Sequence, residues 1–575
     1  MKPSKNSIPI APLLPSLMPA LPKGKKEILF KKRLLQISLL SIAVAVLISI
    51  IAKGLVLLIN LVTNICFYGT FAFTFSSPAN NQLGLFVIVL PVIGGVLVGL
   101  MALFGSKAIR GHGIPEAMEQ ILINQSKIKP SIAFLKPISS AIAIGSGGPF
   151  GAEGPIIATG GALGSTIGQL FKITSNERKI ILAAGATAGM SAIFGTPIAA
   201  VFLAIELLLF EFSPKAILPV ALACITGAAG HQLLFETGPV FPMPNLEGPS
   251  NLALAIYSGM GILIGFMSLG LTKVVYWIED TFEKLPIHWM WWPAIGGLAV
   301  GIIGYFAPHT LGVGYENIIS MLSGKATLAL MLSLCFFKFL SWAIALGSGT
   351  SGGTLAPLLT IGGAAGALLG TLVLMFFPQS EINIPMAALI GMSSMFAGAS
   401  RAYLTSITFA LEATMQSHAL LPLLGACTAS YLVSFFFMEN TIMTEKIARR
   451  GIYTPDAYEP DILRRVTVSQ VMGKINSIQE QIINELLKRE IPILNPNDPL
   501  SKAVELMASS GEEYLPVVLT NGSNEIVGLL THKDVLHAYK LYHKENQEVG
   551  INLSLKRQRL KMMIRSRKLM DKTKS

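Results

Sequence analysis

Long apolar runs dominate the chain between residues 34 and 437, and few charged residues interrupt them. Runs of about 17–25 apolar residues can cross a bilayer core of roughly 30 Å as helices. Other runs are shorter and broken by glycine and proline, so we predict helices that end inside the membrane. The pattern predicts membrane spans at Leu34–Ile59, Leu83–Phe104, Leu252–Val274, Pro293–Phe306, Ala326–Leu346 and Leu420–Phe437.

After Arg450 the apolar spans stop and a pattern typical of a soluble α/β domain begins. Asn521–Asn524 has the composition of a hairpin turn between two strands. The predicted elements are a strand at Ile491–Leu494, a helix at Pro499–Ser509, strands at Tyr514–Leu519 and Glu525–Leu530, and a helix at His532–Tyr542.

Composition and charge support a membrane protein whose two ends lie on one side. Only 13% of the residues are charged, whereas soluble domains carry about a quarter. Basic clusters lie just before the first span, at Lys23–Arg33, and just after the last, at Lys446–Arg450. The positive-inside rule therefore places both termini in the cytoplasm. The net charge of +12 and the basic tail predict contact with anionic lipid, and we expect no nucleic-acid partner.

The membrane region contains an internal repeat. Ala141–Gly147 reads AIAIGSG and Ala343–Gly349 reads AIALGSG, 202 positions later, and both copies continue as G-x-x-x-P-x-x-x-x-G-G-x-x-G. A weaker match relates Gly185 and Glu206 to Gly391 and Glu412. Repeated halves with interrupted helices point to a transporter architecture. Free N–H groups at a broken helix bind anions, and glycine allows close approach to the ion; glycine could instead serve close helix packing.

Three motifs in register resemble those of the CLC family of chloride channels and transporters. They are Gly111-His-Gly-Ile-Pro-Glu116, Gly151-Ala-Glu-Gly-Pro155 and Gly353-Thr-Leu-Ala-Pro357, and the resemblance covers roughly Lys31 to Arg450. It implies a homodimer with one anion pathway per subunit, built from two inverted repeats of tilted and re-entrant helices.

The resemblance assigns Glu153 as the gating glutamate, which competes with the anion and leaves its site when protonated. A carboxyl at membrane depth is a functional hypothesis in any case, although it could serve as a structural helix-terminus carboxylate. The resemblance implies an anion site that is formed by His112, Gly113, Ile114, Gly154, Thr354, Leu355 and Met443.

The sequence departs from the family pattern at several of these positions. His112 replaces a serine or proline. We expect either that its imidazole lines the anion site and confers pH dependence, or that it caps local backbone or faces the cytoplasmic vestibule. Met443 replaces the coordinating tyrosine and offers no hydroxyl. Leu207 replaces the intracellular proton-route glutamate, and Ala152 replaces the basic residue before the gate. Glu206, Glu211 and His112 remain candidates for an alternative proton route.

The C-terminal elements resemble one CBS domain, with its typical ending at Gly528–Asp534. Thr531 and Asp534 match positions that contact ribose in nucleotide-binding members. The domain therefore either binds an adenine nucleotide or is a dimerisation module without a ligand.

We predict a mainly α, polytopic membrane protein with a small cytoplasmic α/β domain. Its parts are a basic segment (1–33), the transport domain (34–445), a linker with a single CBS domain (446–543) and a basic tail (544–575). It would transport chloride through a channel-like or weakly proton-coupled pathway, in a bacterial inner membrane. A proton-coupled antiporter and a fluoride transporter are the alternatives. We expect no required cofactor. A membrane-embedded enzyme is a rival interpretation, but the sequence contains no nucleophile–base pair or metal motif that supports it. A second rival is a nucleotide-sensing regulator whose membrane part is only an anchor, and the broken helices argue against it because an anchor does not need them.

Overall fold

A computed structural model describes residues 23–171, 173–235, 237–452, 454, 463, 466–473, 492–519 and 525–538, with side chains from residue 31 onwards. The predicted turn at 521–524, the basic tail and most of the basic N-terminal segment lie outside these residues. The chain divides into two compact units, Phe30–Asp456 and the remainder, which are described separately.

The first half of the membrane unit is a series of eight helices. α1 continues into a π-helical turn at Asn64–Tyr68, and α7 continues into another at Ala204–Leu209. The helices are α1 (Lys23–Thr63), α2 (Val89–Phe104), α3 (Ile114–Ile123), α4 (Ile132–Gly145), α5 (Glu153–Leu170), α6 (Ser175–Phe194), α7 (Pro197–Leu203) and α8 (Pro214–Leu234).

The second half begins with the long α9, and a π-helical turn at Leu334–Lys338 joins α12 to α13. The helices are α9 (Asn251–Glu283), α10 (Trp292–Phe306), α11 (Tyr315–Leu322), α12 (Leu328–Ser333), α13 (Phe339–Gly347), α14 (Leu355–Phe376), α15 (Ile384–Ser400), α16 (Tyr403–Thr414), α17 (Leu420–Phe437) and α18 (Glu445–Arg449).

Eight helical segments in the described part of the chain are long and apolar enough to cross a membrane. Each of the six predicted spans overlaps one of them. The other two, Pro214–Leu234 and Leu355–Phe376, were not predicted as spans because glycine and proline interrupt their apolar pattern.

The two halves repeat the same order of elements. The start of α14 follows the start of α5 by the 202 residues of the sequence repeat, and α6, α7 and α8 correspond to α15, α16 and α17. Equivalent helices also pack together across the halves: α2 against α10, and α7 against α16. The two-repeat architecture predicted from the sequence is therefore present in the fold.

Paired glycines close the packing between neighbouring helices in each half. A Cβ on Gly160 in α5 would overlap the carbonyl oxygen of Gly185 in α6, and a Cβ on Gly185 would overlap that of Gly160. Gly362 and Gly391 form the equivalent contact between α14 and α15. These glycines therefore serve helix packing rather than ion binding.

The C-terminal unit contains α19 (Val468–Val471), α20 (Leu500–Ser510), β1 (Tyr514–Leu519) and β2 (Glu525–Thr531). β1 pairs with β2 in antiparallel register, Leu494 forms a parallel bridge with Val517, and residues 532–538 are helical. The predicted hairpin and its flanking helices are therefore confirmed within the described residues.

Candidate anion pathway

The broken helices of the two halves meet end to end. α5 begins at Glu153 and α14 at Leu355, and the residues just before them are joined by two backbone hydrogen bonds, Gly353 N to Gly151 O (3.0 Å) and Gly151 N to Gly353 O (3.3 Å). The first N–H groups of a helix have no intrahelical acceptor and carry partial positive charge. The arrangement concentrates the positive ends of two helices at one buried place.

Glu153 lies at this junction and is fully buried. Its Oε1 accepts a hydrogen bond of 2.5 Å from the hydroxyl of Tyr315, while its Oε2 has no hydrogen-bond partner among the described residues. A Cβ on Gly151 would overlap Oε2, so only glycine leaves room for the carboxylate here. Half of the carboxylate is thus anchored, and the other half faces the junction unsatisfied.

Tyr315 belongs to the site but lies outside the three sequence motifs. It begins α11 directly after Gly314, whose φ of 77° suits glycine, and its ring makes edge contacts with Phe194 (5.9 Å between centroids) and Phe241 (5.7 Å). Gly312-x-Gly314-Tyr315 is the repeat equivalent of Gly111-x-Gly113-Ile114. Extending that repeat by one residue would have found it.

Four of the predicted anion-site residues lie close together. A Cβ on Gly154 would overlap the carbonyl oxygen of His112, and a Cβ on Gly113 would overlap that of Gly154. Thr354 follows Gly353 at the junction, is 1% exposed, and its Oγ1 has no hydrogen-bond partner in the described chain. The structure therefore brings the three sequence motifs into one buried cluster.

The segment before α3 is fixed by charged side chains. The amide of Gly113 donates a 2.7 Å hydrogen bond to Glu116 Oε2, and Glu116 pairs with Lys446 at 2.8 Å. The buried Lys136 donates to the carbonyls of Ile109 (2.8 Å) and Gly111 (2.7 Å). The Gly113 amide is thus occupied by a carboxylate of its own helix, and Ile114 is buried behind it.

A second buried lysine has the same role in the other half. Lys338, 202 positions after Lys136, donates to the carbonyls of Thr310 (2.9 Å) and Gly312 (2.7 Å). Neither lysine was identified from the sequence, although the repeat offset relates them. Each holds the loop that precedes a short helix of the site.

His112 is 4% exposed, and its Nδ1 has no hydrogen-bond partner in the described part of the chain. It forms part of the wall of a cavity of about 860 Å³ that we call the His112 cavity. The wall also includes Ser106–Ala108, Arg110–Gly113, the end of α9, Trp289, Trp292 and Lys446. The imidazole with the unsatisfied Nδ1 thus belongs to a residue that lines this cavity.

Glu206, Leu207 and Glu211, three positions considered for the proton route, differ in their contacts. Glu206 accepts hydrogen bonds from the amides of Leu404 (2.8 Å) and Thr405 (3.0 Å) at the start of α16. In return, Glu412 in α16 accepts from the amides of Ile198 (3.0 Å) and Ala199 (2.8 Å) at the start of α7. The two glutamates therefore cap each other's helices, which gives Glu206 a structural role.

The other two positions on that route have no such role. Leu207 is buried beside Glu206, and Glu211 is 3.6 Å from Lys179 and 40% exposed.

Met443 is fully buried before α18, and its amide donates to Thr441 Oγ1 at 3.2 Å. No described contact joins Met443 to Glu153 or Thr354.

In the C-terminal unit, Thr531 and Asp534 bond to each other. The Thr531 amide and hydroxyl donate to Asp534 Oδ2 at 2.9 and 2.8 Å, and the Asp534 amide donates to the Thr531 hydroxyl at 3.2 Å. This is a helix-capping arrangement. It engages the Thr531 hydroxyl and Asp534 Oδ2, two of the groups to which the CBS resemblance assigns ribose contact, and no described bond involves Asp534 Oδ1.

Two related halves of apolar helices, with broken helices meeting around a buried carboxylate, are an architecture typical of membrane transporters rather than of a soluble binding domain. Residues 94–435 match the family described as voltage gated chloride channel, and residues 483–541 match the CBS domain. The chain belongs to this chloride channel family, CLC, and carries a CBS domain.

Curated relatives support the same assignment. Chloride channel protein CLC-f of Arabidopsis thaliana is 30% identical over 496 residues, covering 78% of this chain and 62% of the relative's length. The H(+)/Cl(-) exchange transporter ClcA of Yersinia pestis is 29% identical over 350 residues, covering 59% and 72% of the two chains. The chain therefore spans less than two thirds of the plant relative's length.

Solved structures share the fold. A slow cyanobacterial Cl⁻/H⁺ antiporter aligns with a TM-score of 0.65 at 22% identity, covering 72% of this chain and 97% of its own. A CLC-type fluoride/proton antiporter aligns with a TM-score of 0.57 at 19% identity, covering 70% and 95%. At these identities the likeness concerns the fold alone.

Proposed function

We propose that the protein transports chloride along a path that passes Glu153, whose carboxyl group acts as the gate. The supporting observation is the unsatisfied Glu153 Oε2 at the junction of α5 and α14. A carboxylate and a halide have the same charge and both favour a helix N-terminus. They would therefore compete for this position.

In the closed state, charged Glu153 occupies the junction and accepts the Tyr315 hydrogen bond. Protonation removes the charge, so the side chain can leave the positive helix ends to an anion. Candidate ligands for that anion are the amide of Gly154 in the first turn of α5, the amide of Leu355 at the start of α14, and the Thr354 hydroxyl, which has no hydrogen-bond partner among the described residues. His112 lies beside Gly154, and its Nδ1 could donate to an anion arriving from the His112 cavity.

We propose uncoupled or weakly coupled transport. Leu207 cannot carry a proton, and both oxygens of Glu206 are engaged in capping α16. The alternative is proton-coupled exchange through another route, as the name of the ClcA relative suggests for that protein.

Reconstituted protein in liposomes separates these functions. A chloride gradient with a protonophore control should drive chloride flux without uphill proton movement, and Glu153→Gln should raise that flux. Uphill proton pumping would establish the exchanger. No anion flux in the wild type and in Glu153→Gln would refute the transport proposal for this chain.

The choice of anion is tested in the same liposomes. We propose chloride as the substrate, and fluoride is the second candidate because a structural relative is described as a fluoride/proton antiporter. Replacing His112 with serine should change either the anion selectivity or the pH profile. If both stay unchanged, His112 does not contact the permeating anion.

We further propose that the protein is a homodimer with cytoplasmic termini in a bacterial plasma membrane, that it needs no cofactor and that it is not an enzyme. The support is the family and the basic residues that flank the spans. Mass measurement of the detergent-solubilised protein tests the dimer.

For the CBS domain, the mutual capping of Thr531 and Asp534 favours a structural role over nucleotide binding, and nucleotide titration of the full-length protein tests it.

A further inference from the structure

Arg110 lies in the wall of the His112 cavity, two residues before His112. Its guanidinium carbon is 5.1 Å from the ring centroid of Trp289 and 5.3 Å from that of Trp292. A Cβ on Gly349 would overlap its Nη2, so a glycine is needed beside it. The two aromatic rings thus contact the guanidinium, and the absence of a side chain at Gly349 leaves room for it.

Arg110 is a partly buried cation of the cavity wall that forms no ion pair among the described residues, unlike Lys446 and Arg450. Lys446 pairs with Glu116, and Arg450 pairs with Glu119. Among the described residues Arg110 has no hydrogen bond and no ion pair, and its buried Nε has no acceptor. Glu279 and Glu283 line the same cavity and attract Arg110 electrostatically, but neither is close enough to form an ion pair with it.

A guanidinium in this setting needs an acceptor. Aromatic contacts use its faces, which leaves the N–H donors at its edges, and buried donors without acceptors cost free energy. The wall contains six lysine or arginine side chains and four glutamates, so the cavity attracts anions. Both observations point to a negatively charged ligand.

We propose that Arg110 forms an anion-capture site, where a small anion from the cavity is held before it moves to His112. The inference rests on the proposed function, because a capture site matters only for a permeating anion. Chloride would accept from one or two guanidinium N–H groups, and a planar oxyanion would accept from two at once. The site lies outside the junction of α5 and α14.

The test compares Arg110→Gln with Lys129→Gln in liposomes. Lys129 is an exposed lysine in the wall of the same cavity, so both variants remove one positive charge from it. We expect Arg110→Gln to raise the half-saturating chloride concentration about tenfold, and Lys129→Gln to change it less than twofold. Arg110→Lys keeps the positive charge but removes the forked guanidinium, so its half-saturating chloride concentration should lie between those of wild type and Arg110→Gln. It serves as a second variant if Arg110→Gln fails to fold.

A direct measurement is the anomalous signal of bromide in crystals of the full-length protein. A bromide peak within hydrogen-bond distance of the Arg110 guanidinium supports the site, and its absence at saturating bromide overturns it. Equal shifts in Arg110→Gln and Lys129→Gln would also overturn it, because they would reflect general electrostatics. If wild-type flux is normal and Arg110→Gln leaves the half-saturating chloride concentration unchanged, the capture site is overturned and the proposed function stands. If the wild type shows no flux, the proposed function is overturned, and the bromide result then decides the capture site.

Discussion

Replacing Tyr315 with phenylalanine tests the proposed gate most directly. The substitution removes one hydroxyl, which donates the 2.5 Å hydrogen bond to Glu153 Oε1, and keeps the ring between Phe194 and Phe241. A hydrogen bond to a charged group contributes about 1.5–3 kcal/mol. Since about 1.4 kcal/mol is a factor of ten in an equilibrium, the seated carboxylate should lose at least about tenfold in population relative to the displaced one.

We therefore expect Tyr315→Phe to raise chloride flux at neutral pH towards the level of Glu153→Gln. The assay is chloride efflux from liposomes at a fixed number of protein copies per vesicle. Tyr305→Phe is the matched control, because Tyr305 is a half-exposed tyrosine of α10 and no described contact joins it to Glu153.

The double variant Tyr315→Phe/Glu153→Gln should match Glu153→Gln alone, because the hydroxyl acts on the carboxylate. Unchanged or reduced flux in Tyr315→Phe, while Glu153→Gln still raises flux, would refute the assignment of Tyr315 as the anchor of the gate. A further rise in the double variant would show that the hydroxyl acts on the anion itself.

Three further predictions concern stability. Glu206→Ala and Glu412→Ala should each destabilise the protein by about 1–3 kcal/mol through loss of a helix cap; the thermal midpoint in detergent measures this, and loss from only one of them would contradict the reciprocal role. Gly185→Ala and Gly391→Ala should each lower the stability of the protein by about 1–3 kcal/mol by overpacking the helix contact, and the thermal midpoint should fall. An unchanged midpoint would mean that the helices can move apart to accommodate the methyl group. Thr531→Val should destabilise the CBS domain by about 1 kcal/mol, as measured by protease sensitivity of the tail in the full-length protein, and unchanged sensitivity would show that the cap is dispensable.

Much of the fold could be predicted because its cause is local. The length of an apolar run determines whether a helix can span a bilayer, and six spans followed from that alone. The spans at Pro214–Leu234 and Leu355–Phe376 did not, because glycine and proline interrupt their apolar runs, although their mean hydropathies of 1.6 and 2.0 lie within the range of the predicted spans. Several of these glycines serve close packing. Packing partners lie on another helix, so their effect is invisible in a local window.

By itself, the sequence determined the repeat, six of the eight spans, the two strands of the C-terminal unit and the three motifs that contain Glu153, Thr354 and His112. Only the tertiary structure decided what each polar group contacts. Tyr315 reaches Glu153 across 162 residues, and Glu206 reaches Thr405 across 199. Residue type specifies which hydrogen bonds a side chain can make, but the partner depends on how distant segments pack, and the role of a buried carboxylate as gate or cap follows from that partner.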